Sequence, residues 1–364
     1  MDYRQGGVAA VGLKPGFWHG RRVLVTGHTG FKGGWLSLWL QALGARVHGY
    51  ALPATSVPSL WRVAGLDAAV PGELGDLRDR AGLEAAVAGF RPEIVLHLAA
   101  QPLVRESYRD PAPTYEVNVG GTVNLLEAVR RCDSVRAVVV VSSDKCYENR
   151  EWAWPYREQD ALGGHDPYSS SKACVELLCA SWRASFLAAR GVGLATARAG
   201  NVIGGGDWSP ERLVPDVLHS WQAGQPVILR NPGATRPWQH VLEPLHGYLL
   251  LAQALVEERP EAASAWNFGP DSADVTTVAT VVAKLASRWP GDGARWDVDA
   301  APAPHEARLL ALDSARARAQ LRWSPRWSLD QAIAHTMAWH LAWREGKDML
   351  AFTSAQIAAY QEAA

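Results

Sequence analysis

The sequence predicts a doubly wound α/β protein, a parallel sheet with helices on both faces, carrying a smaller, interleaved α/β substrate unit. Three features point there. Short apolar runs and amphipathic runs alternate about six times between Arg22 and Ala199, as in sheets built from strand–helix–strand units. The most apolar run, Ala137 to Val141, has no polar alternation, which is how a parallel strand buried on both faces looks. After Asn201 the texture changes to irregular, Gly- and aromatic-rich segments with short strands and isolated helices. The expected division is residues 1–200, with about 235–260, in the sheet unit, and 201–234 with 261–364 in the smaller unit.

Arg22-Val23-Leu24-Val25 reads as the first strand. It runs into Thr26-Gly27-His28-Thr29-Gly30-Phe31-Lys32-Gly33-Gly34 and then into the amphipathic run Trp35 to Leu43. Strand, glycine loop and helix, in that order, form the setting of a dinucleotide-binding fingerprint. Gly27 permits the tight turn, Gly30 lets backbone approach a pyrophosphate, and Gly33 lets the helix pack on the strand. The helix N-terminus then faces the phosphates. Thr29 and Phe31 complete the cofactor-facing loop, and His28 is expected to shape it without taking part in chemistry. Lys32 is either a phosphate contact or a solvated lysine. The second strand, Ala45 to Tyr50, leads to Ala51-Leu52-Pro53 with no acid for an adenosine ribose, so this position leaves NAD and NADP both open.

Asp76-Leu77 follows a short extended stretch and precedes a helix from Arg80 to Gly89. Asp76 is either an adenine contact or the helix N-cap, a role Asp fills well. Strand Glu93 to Leu98 ends at Ala99-Ala100-Gln101, where Leu98, Ala99 and Ala100 leave room for a cofactor to cross. Helical patterning returns from Tyr115 through Asn118 to Val129. Strand Ala137 to Val141 ends in Ser142-Ser143-Asp144-Lys145, and the carboxyl ends of parallel strands face the ligand crevice. A helix from Tyr168 to about Arg190 follows, then strand Leu194 to Ala199. Beyond it come helices at Glu243–Glu257, Thr276–Ser287 and Leu329–Trp343, and short strands at 266–268 and 295–297.

Tyr168 and Lys172 are four apart and share one helix face. A free phenol, with a pKa near ~10, is a poor base at neutral pH. A neighbouring ammonium favours the phenolate, so the pair is expected to take a proton from a hydroxyl. The bland alternative is two exposed side chains. Asp144 and Lys145 are either a structural ion pair or, if an enclosed site disfavours both charges, a general acid beside a general base.

Composition excludes several classes. A net charge of -1 offers no electrostatic grip on nucleic acid or a membrane surface. No apolar run reaches transmembrane length, and Met1 to Gly20 lacks the apolar core of a signal peptide. Cys132, Cys146, Cys174 and Cys179 show no metal-ligand spacing. They are expected to be reduced thiols in a cytoplasmic protein without metal.

The motifs together resemble the extended short-chain dehydrogenase/reductase family, with its Rossmann domain. The resemblance is carried by Thr26-Gly27-His28-Thr29-Gly30-Phe31-Lys32-Gly33, Asp76-Leu77, Leu98-Ala99-Ala100, Asn118, and Tyr168 with Lys172. Within that family the chain is similar to the nucleotide-sugar 4,6-dehydratases. The stretches Ala100 to Arg105, Ser143 to Tyr147, Gly200 to Trp208 and Arg236 to Val241 carry this second likeness.

The resemblance implies a lyase that removes water from CDP-D-glucose and recycles a tightly held NAD; a 4-epimerase or another 4,6-dehydratase is the alternative. It implies that Tyr168 takes the C4 hydroxyl proton while hydride leaves C4. Lys172 assists Tyr168 and binds the nicotinamide ribose, and Ser143 binds the C4 oxygen. Lys145 takes the C5 proton, Asp144 protonates the leaving C6 hydroxyl, and the hydride returns to C6. Arg236 is the expected diphosphate contact, with Ser107, Asn201 and Arg212 as further substrate contacts. Arg198 lies either at the nicotinamide or in an ion pair, and His240 is expected to pack beside Trp238. A homodimer or homotetramer is implied, through helices 118–129 and 168–190.

Overall fold

The computed structural model describes residues 12–298 and 309–363. Its centre is a seven-stranded parallel sheet: β1 (Arg22–Thr26), β2 (Arg46–Ala51), β3 (Gly72–Leu74), β4 (Ile94–His97), β5 (Ala137–Val141), β6 (Gly193–Ala199) and β7 (Ala265–Phe268). Their spatial order is β7-β6-β5-β4-β1-β2-β3. The chain moves outward from β1 to β3 and then returns to place β4 on the other side of β1. The order reverses between β1 and β4, and ligands bind at the carboxyl ends of strands beside such a reversal.

The period-two alternation of a strand divides the core into two layers. On β5, Ala137, Val139 and Val141 pack on one face with α1 (Phe31–Ala42) and α6 (Leu242–Val256), whereas Val138 and Val140 pack on the other. That second layer is covered by α2 (Arg80–Phe90), α3 (Gly121–Arg130) and α4 (Pro167–Trp182). Each face removes apolar side chains from water, so both surfaces of the sheet are stabilising.

A third core belongs to the smaller unit, where α5 (Leu213–Gln222), α7 (Val278–Ala286) and α8 (Leu329–Arg344) enclose Val217, Trp221, Val282 and Ile333. Short two-stranded ladders edge it, among them Val227–Leu229 beside Trp296–Val298 and Thr235–Pro237 beside Val275–Thr277. A last helix, α9 (Met349–Glu362), packs back on α1 through Tyr360 and Trp39.

One boundary needs correction. Residues 265–268, placed in the smaller unit by a division at 261, form β7 and complete the main sheet beside β6. A four-residue strand shows no sequence sign of which sheet it joins, because pairing is decided by distant backbone.

Candidate active site

A cleft of about 560 Å³ opens between the sheet's carboxyl edge and the smaller unit. Strand β5 delivers Ser142 and Ser143 to it, and a single 3₁₀ turn, Asp144–Cys146, carries the next two side chains. Ser143 caps that turn: its hydroxyl accepts the Lys145 N–H at 3.2 Å and donates to Asp144 Oδ1 at 3.1 Å. Asp144 is buried, and its Oδ2 has no partner among the described residues. Burial drives its carboxyl above the usual range, against the opposing pulls of Lys145, Ser143, Arg236 and Lys32. Gly200 is required here, because a Cβ would lie 2.9 Å from Asp144 Oδ2 and overlap the Pro237 ring. Lys145 is half-buried and lines the same cleft.

Helix α4 brings Tyr168 to the cleft beside Ser143. Asp166 caps it by accepting the Ser169 N–H at 2.9 Å, and Pro167 stands in its first turn. Tyr168 is buried at the cleft; burial pushes its phenol up to about 12, with the Ser143 hydroxyl offsetting part of the rise and Asp144 adding to it. The expectation that Lys172 lowers this pKa is not met. Lys172 Nζ donates to the Val141 carbonyl at 3.1 Å, and burial brings its own pKa down to about 8 while Glu176 pulls the other way. The shared helix face is real, but the ammonium is bonded to the strand, and desolvation outweighs a cation turned aside.

A family model described as GDP-mannose 4,6 dehydratase matches residues 24–336. The chain belongs to that family. It is 52% identical to a CDP-glucose 4,6-dehydratase of Salmonella typhimurium, over 95% of this chain and 98% of that protein. It is 28% identical to a dTDP-glucose 4,6-dehydratase of Xanthomonas campestris pv. campestris, covering 89% and 95% of the two chains. A dTDP-glucose 4,6-dehydratase of Streptomyces venezuelae, solved with NAD bound, superposes with a TM-score of 0.75 at 25% identity, covering 90% of this chain and 99% of that one. A UDP-glucose 4-epimerase of Thermus thermophilus in complex with NAD gives 0.75 at 27% identity, covering 87% and 98%.

The glycine loop fits a dinucleotide of the kind seen in those family members. Gly27 has φ +77° and lies against the Ala99 backbone, and a Cβ at Gly33 would overlap the Gly27 carbonyl oxygen. A Cβ at Gly30 would meet only that carbonyl oxygen, at 3.3 Å, so the other side of the loop is open for a diphosphate. It is also the N-cap of α1, and no side chain caps the helix there. The first N–H groups of α1 are therefore available to an anion.

Thr29 ties this loop to the end of β2, donating to the Leu52 carbonyl at 2.8 Å. Phe31 packs partly on the core, Leu77 is buried in the opposite layer, and Leu98, Ala99 and Ala100 are half-buried at the end of β4. Both Asp76 oxygens hold the Arg78 guanidinium, at 2.7 and 3.1 Å; Asp79, not Asp76, caps α2. His28 packs over Gly49 and edge-on to Trp61, and burial lowers its pKa to about 4.

Lys32 lines the cleft. Burial, then the charges of Arg212 and Lys172, bring its amine down to about 7. It is neither a plainly solvated side chain nor confined to the loop.

Arg236, Arg212 and Asn201 also line the cleft, as candidate substrate contacts should. Arg212 meets Asp207 at 3.0 Å, and Arg236 donates to the Thr235 carbonyl at 2.9 Å. Two proposed contacts lie elsewhere. Ser107 is fully buried and supports α4, accepting the Tyr168 N–H at 3.1 Å and donating to the Val104 carbonyl at 2.6 Å. Arg198 pairs with Glu176 at 2.8 and 2.9 Å and donates to Tyr147 Oη at 2.8 Å. It lies in an enclosed network, so of the two readings the structure shows the ion pair. His240 packs against Trp327 and Trp35, not Trp238.

Sequence reasoning missed the supports. Glu176 also accepts the Thr196 hydroxyl at 2.6 Å, joining α4 to β6. Asn118 accepts the Gln101 N–H at 2.8 Å and donates to Ser171 Oγ at 2.9 Å, tying the β4 end to α4. Glu176 lies one helical turn beyond Lys172, a spacing that hinted at a shared face, but nothing in the sequence named its partner.

Proposed function

We propose that the chain converts CDP-D-glucose to CDP-4-dehydro-6-deoxy-D-glucose and water. The carrying observation is the Asp144 carboxyl: buried, raised in pKa, one oxygen without a partner among the described residues, and set in the cleft with Tyr168 and Lys145. A 4-epimerase has no use for a neutral acid at that place. The cytidine assignment is supported by the 52% identity to a CDP-glucose 4,6-dehydratase.

The fingerprint loop and the N-terminus of α1 would hold the cofactor diphosphate, Ala99 and Ala100 the dinucleotide where it crosses β4, Lys172 the nicotinamide ribose, and Asp76 the adenine. NAD is favoured over NADP by the NAD-bound dehydratase and epimerase. When bound, NAD supplies the hydride acceptor for C4 and returns that hydride to C6.

Tyr168 and Ser143 hold the C4 oxygen, and Tyr168 removes its proton as the phenolate, the positive charge that bound NAD would bring offsetting the burial that raises its pKa. With C4 a ketone, the C5 proton is acidic and passes to the Lys145 amine. Asp144 protonates the C6 hydroxyl, which leaves as water. Lys145 then returns its proton to C5, and the proton released at O4 balances the one Asp144 gave away. Proton transfer by placed groups of this kind contributes about 10²–10⁴-fold. Arg236 and Arg212 clamp the diphosphate, a geometry suited to guanidinium.

Two copies of the chain are inferred to pair through α3, α4 and the turn Arg183–Leu187 that follows α4, where Leu177 on α4 and Phe186 beyond it are 62% and 40% exposed. Size-exclusion chromatography with light scattering tests this; a monomeric mass excludes it.

The reaction is tested by incubating the purified protein with CDP-, dTDP-, GDP- and UDP-glucose and NAD, with mass detection of water loss. CDP-glucose is expected to lose one water fastest. A protein that holds NAD yet leaves all four sugars intact overturns the proposal.

A further inference from the structure

The cleft has two walls of different character. The central sheet's carboxyl edge contributes Ser143 and Asp144, and α4 contributes Tyr168; the smaller unit contributes the start of α5, with Leu213 and Asp216, and the strand Val227–Leu229. A sugar nucleotide with its hexose at Tyr168 and its diphosphate at Arg212 and Arg236 can rest its base on this second wall. The wall is mostly apolar, as suits a flat ring, and one carboxyl interrupts it.

Four carboxyl groups line the cleft: Asp144, Asp207, Glu211 and Asp216. Asp144 belongs to the reaction. Asp207 meets Arg212 at 3.0 Å and Glu211 meets Arg109 at 2.9 Å. Asp216 has no ion-pair partner among the described residues, and the Glu211 backbone N–H lies near enough to lower its pKa.

We propose that Asp216 reads the base, accepting a hydrogen bond from the exocyclic amine of a 4-aminopyrimidine and so selecting cytidine over uridine and thymidine nucleotides. The inference rests on the reading of the substrate as a CDP-linked sugar. Cytosine presents an N4 donor that a carboxylate accepts, whereas thymine and uracil place a carbonyl oxygen at the same position. Against that oxygen two acceptors face each other in a partly desolvated slot, and each loses its partner.

Burial raises Asp216 to about 6; the Glu211 charge also raises it, while the Glu211 N–H, His219 and Arg105 lower it. The side chain is thus an acceptor at neutral pH and gains a donor below about pH 6, so discrimination against uridine should shrink as pH falls through that range.

Asp216→Asn tests the assignment, because an amide offers both an acceptor and a donor in the same shape. The ratio of kcat/KM for CDP-glucose over UDP-glucose is expected to fall about tenfold or more, with the change lying in KM. Asp216→Ser is the second variant and should weaken CDP without strengthening UDP. Calorimetric titration of CDP and UDP into wild type and both variants reads the base alone, and thermal melting reads the fold.

An unchanged CDP-to-UDP ratio in a folded Asp216→Asn overturns the inference, as does wild type that binds UDP as tightly as CDP. Wild type that prefers CDP, loses the preference in the variant and yet dehydrates no sugar leaves the base reader standing. That outcome removes the reaction instead.

Discussion

Asp144 and Glu176 are buried almost equally, at 3% and 4% exposure, yet they are driven in opposite directions. At Asp144 burial wins and the carboxyl is raised. At Glu176 burial also pushes upward, but the Arg198 bonds and charge, with Thr196 and Ser142, outweigh it and hold the carboxyl low. Glu243 is a third buried acid. Burial lifts it to about 7, although it accepts the Arg326 and Trp327 N–H groups and the Tyr360 hydroxyl. Neutral donors moderate a buried acid, and a guanidinium reverses it. The acid proposed for catalysis is the one left with a single neutral side-chain donor, Ser143.

The comparison breaks most visibly at Asp144. Asp144→Asn is expected to slow water loss from the sugar about 10³-fold, read by mass spectrometry, because no proton reaches the leaving hydroxyl. Its melting temperature should hold or rise, since the change removes an acid whose burial is unfavourable. A variant that lost stability and kept its rate would assign Asp144 to the scaffold.

Glu176→Gln should do the reverse to stability. It leaves the Arg198 guanidinium buried without its counter-charge, at about 3–5 kcal/mol, measured by urea unfolding. The double variant Glu176→Gln with Arg198→Met should recover most of that loss, because the pair's Coulomb energy is largely offset by its own desolvation. The remainder is the bond from Arg198 to Tyr147, about 1 kcal/mol.

The smallest effect belongs to Glu243. Its folded pKa is raised, so the folded state holds that proton more tightly than the unfolded chain. Its contribution is complete below the unfolded value of about 4.5 and fades as pH rises through about 7. Glu243→Gln should flatten stability between those limits, seen as a smaller change in melting temperature from pH 5 to pH 7.5.

Local chemistry explains what was readable beforehand. The parallel sheet, the fingerprint loop and the Ser143–Asp144–Lys145 turn each follow from side chains close together along the chain. Gly27 and Gly33 are explained by neighbours within six residues or by the adjoining strand end. Arg198 and Ser107 were harder for the opposite reason. A buried arginine can serve a ligand or an acid equally well, and its acid, Glu176, is 22 positions away. Ser107 sits 61 positions from the Tyr168 N–H it accepts.

The sequence alone determined the sheet, the glycine loop at its first strand, and the residue types gathered in the cleft, because spacing of two, three and four residues is set by backbone geometry. Tertiary structure decided which groups carry charge. It turned Lys172 toward Val141, left Asp144 Oδ2 without a partner among the described residues, closed Glu176 onto Arg198 and set Asp216 in the second wall. Ionisation follows the donors and solvent around a side chain, and these come from segments that meet only when the chain has folded.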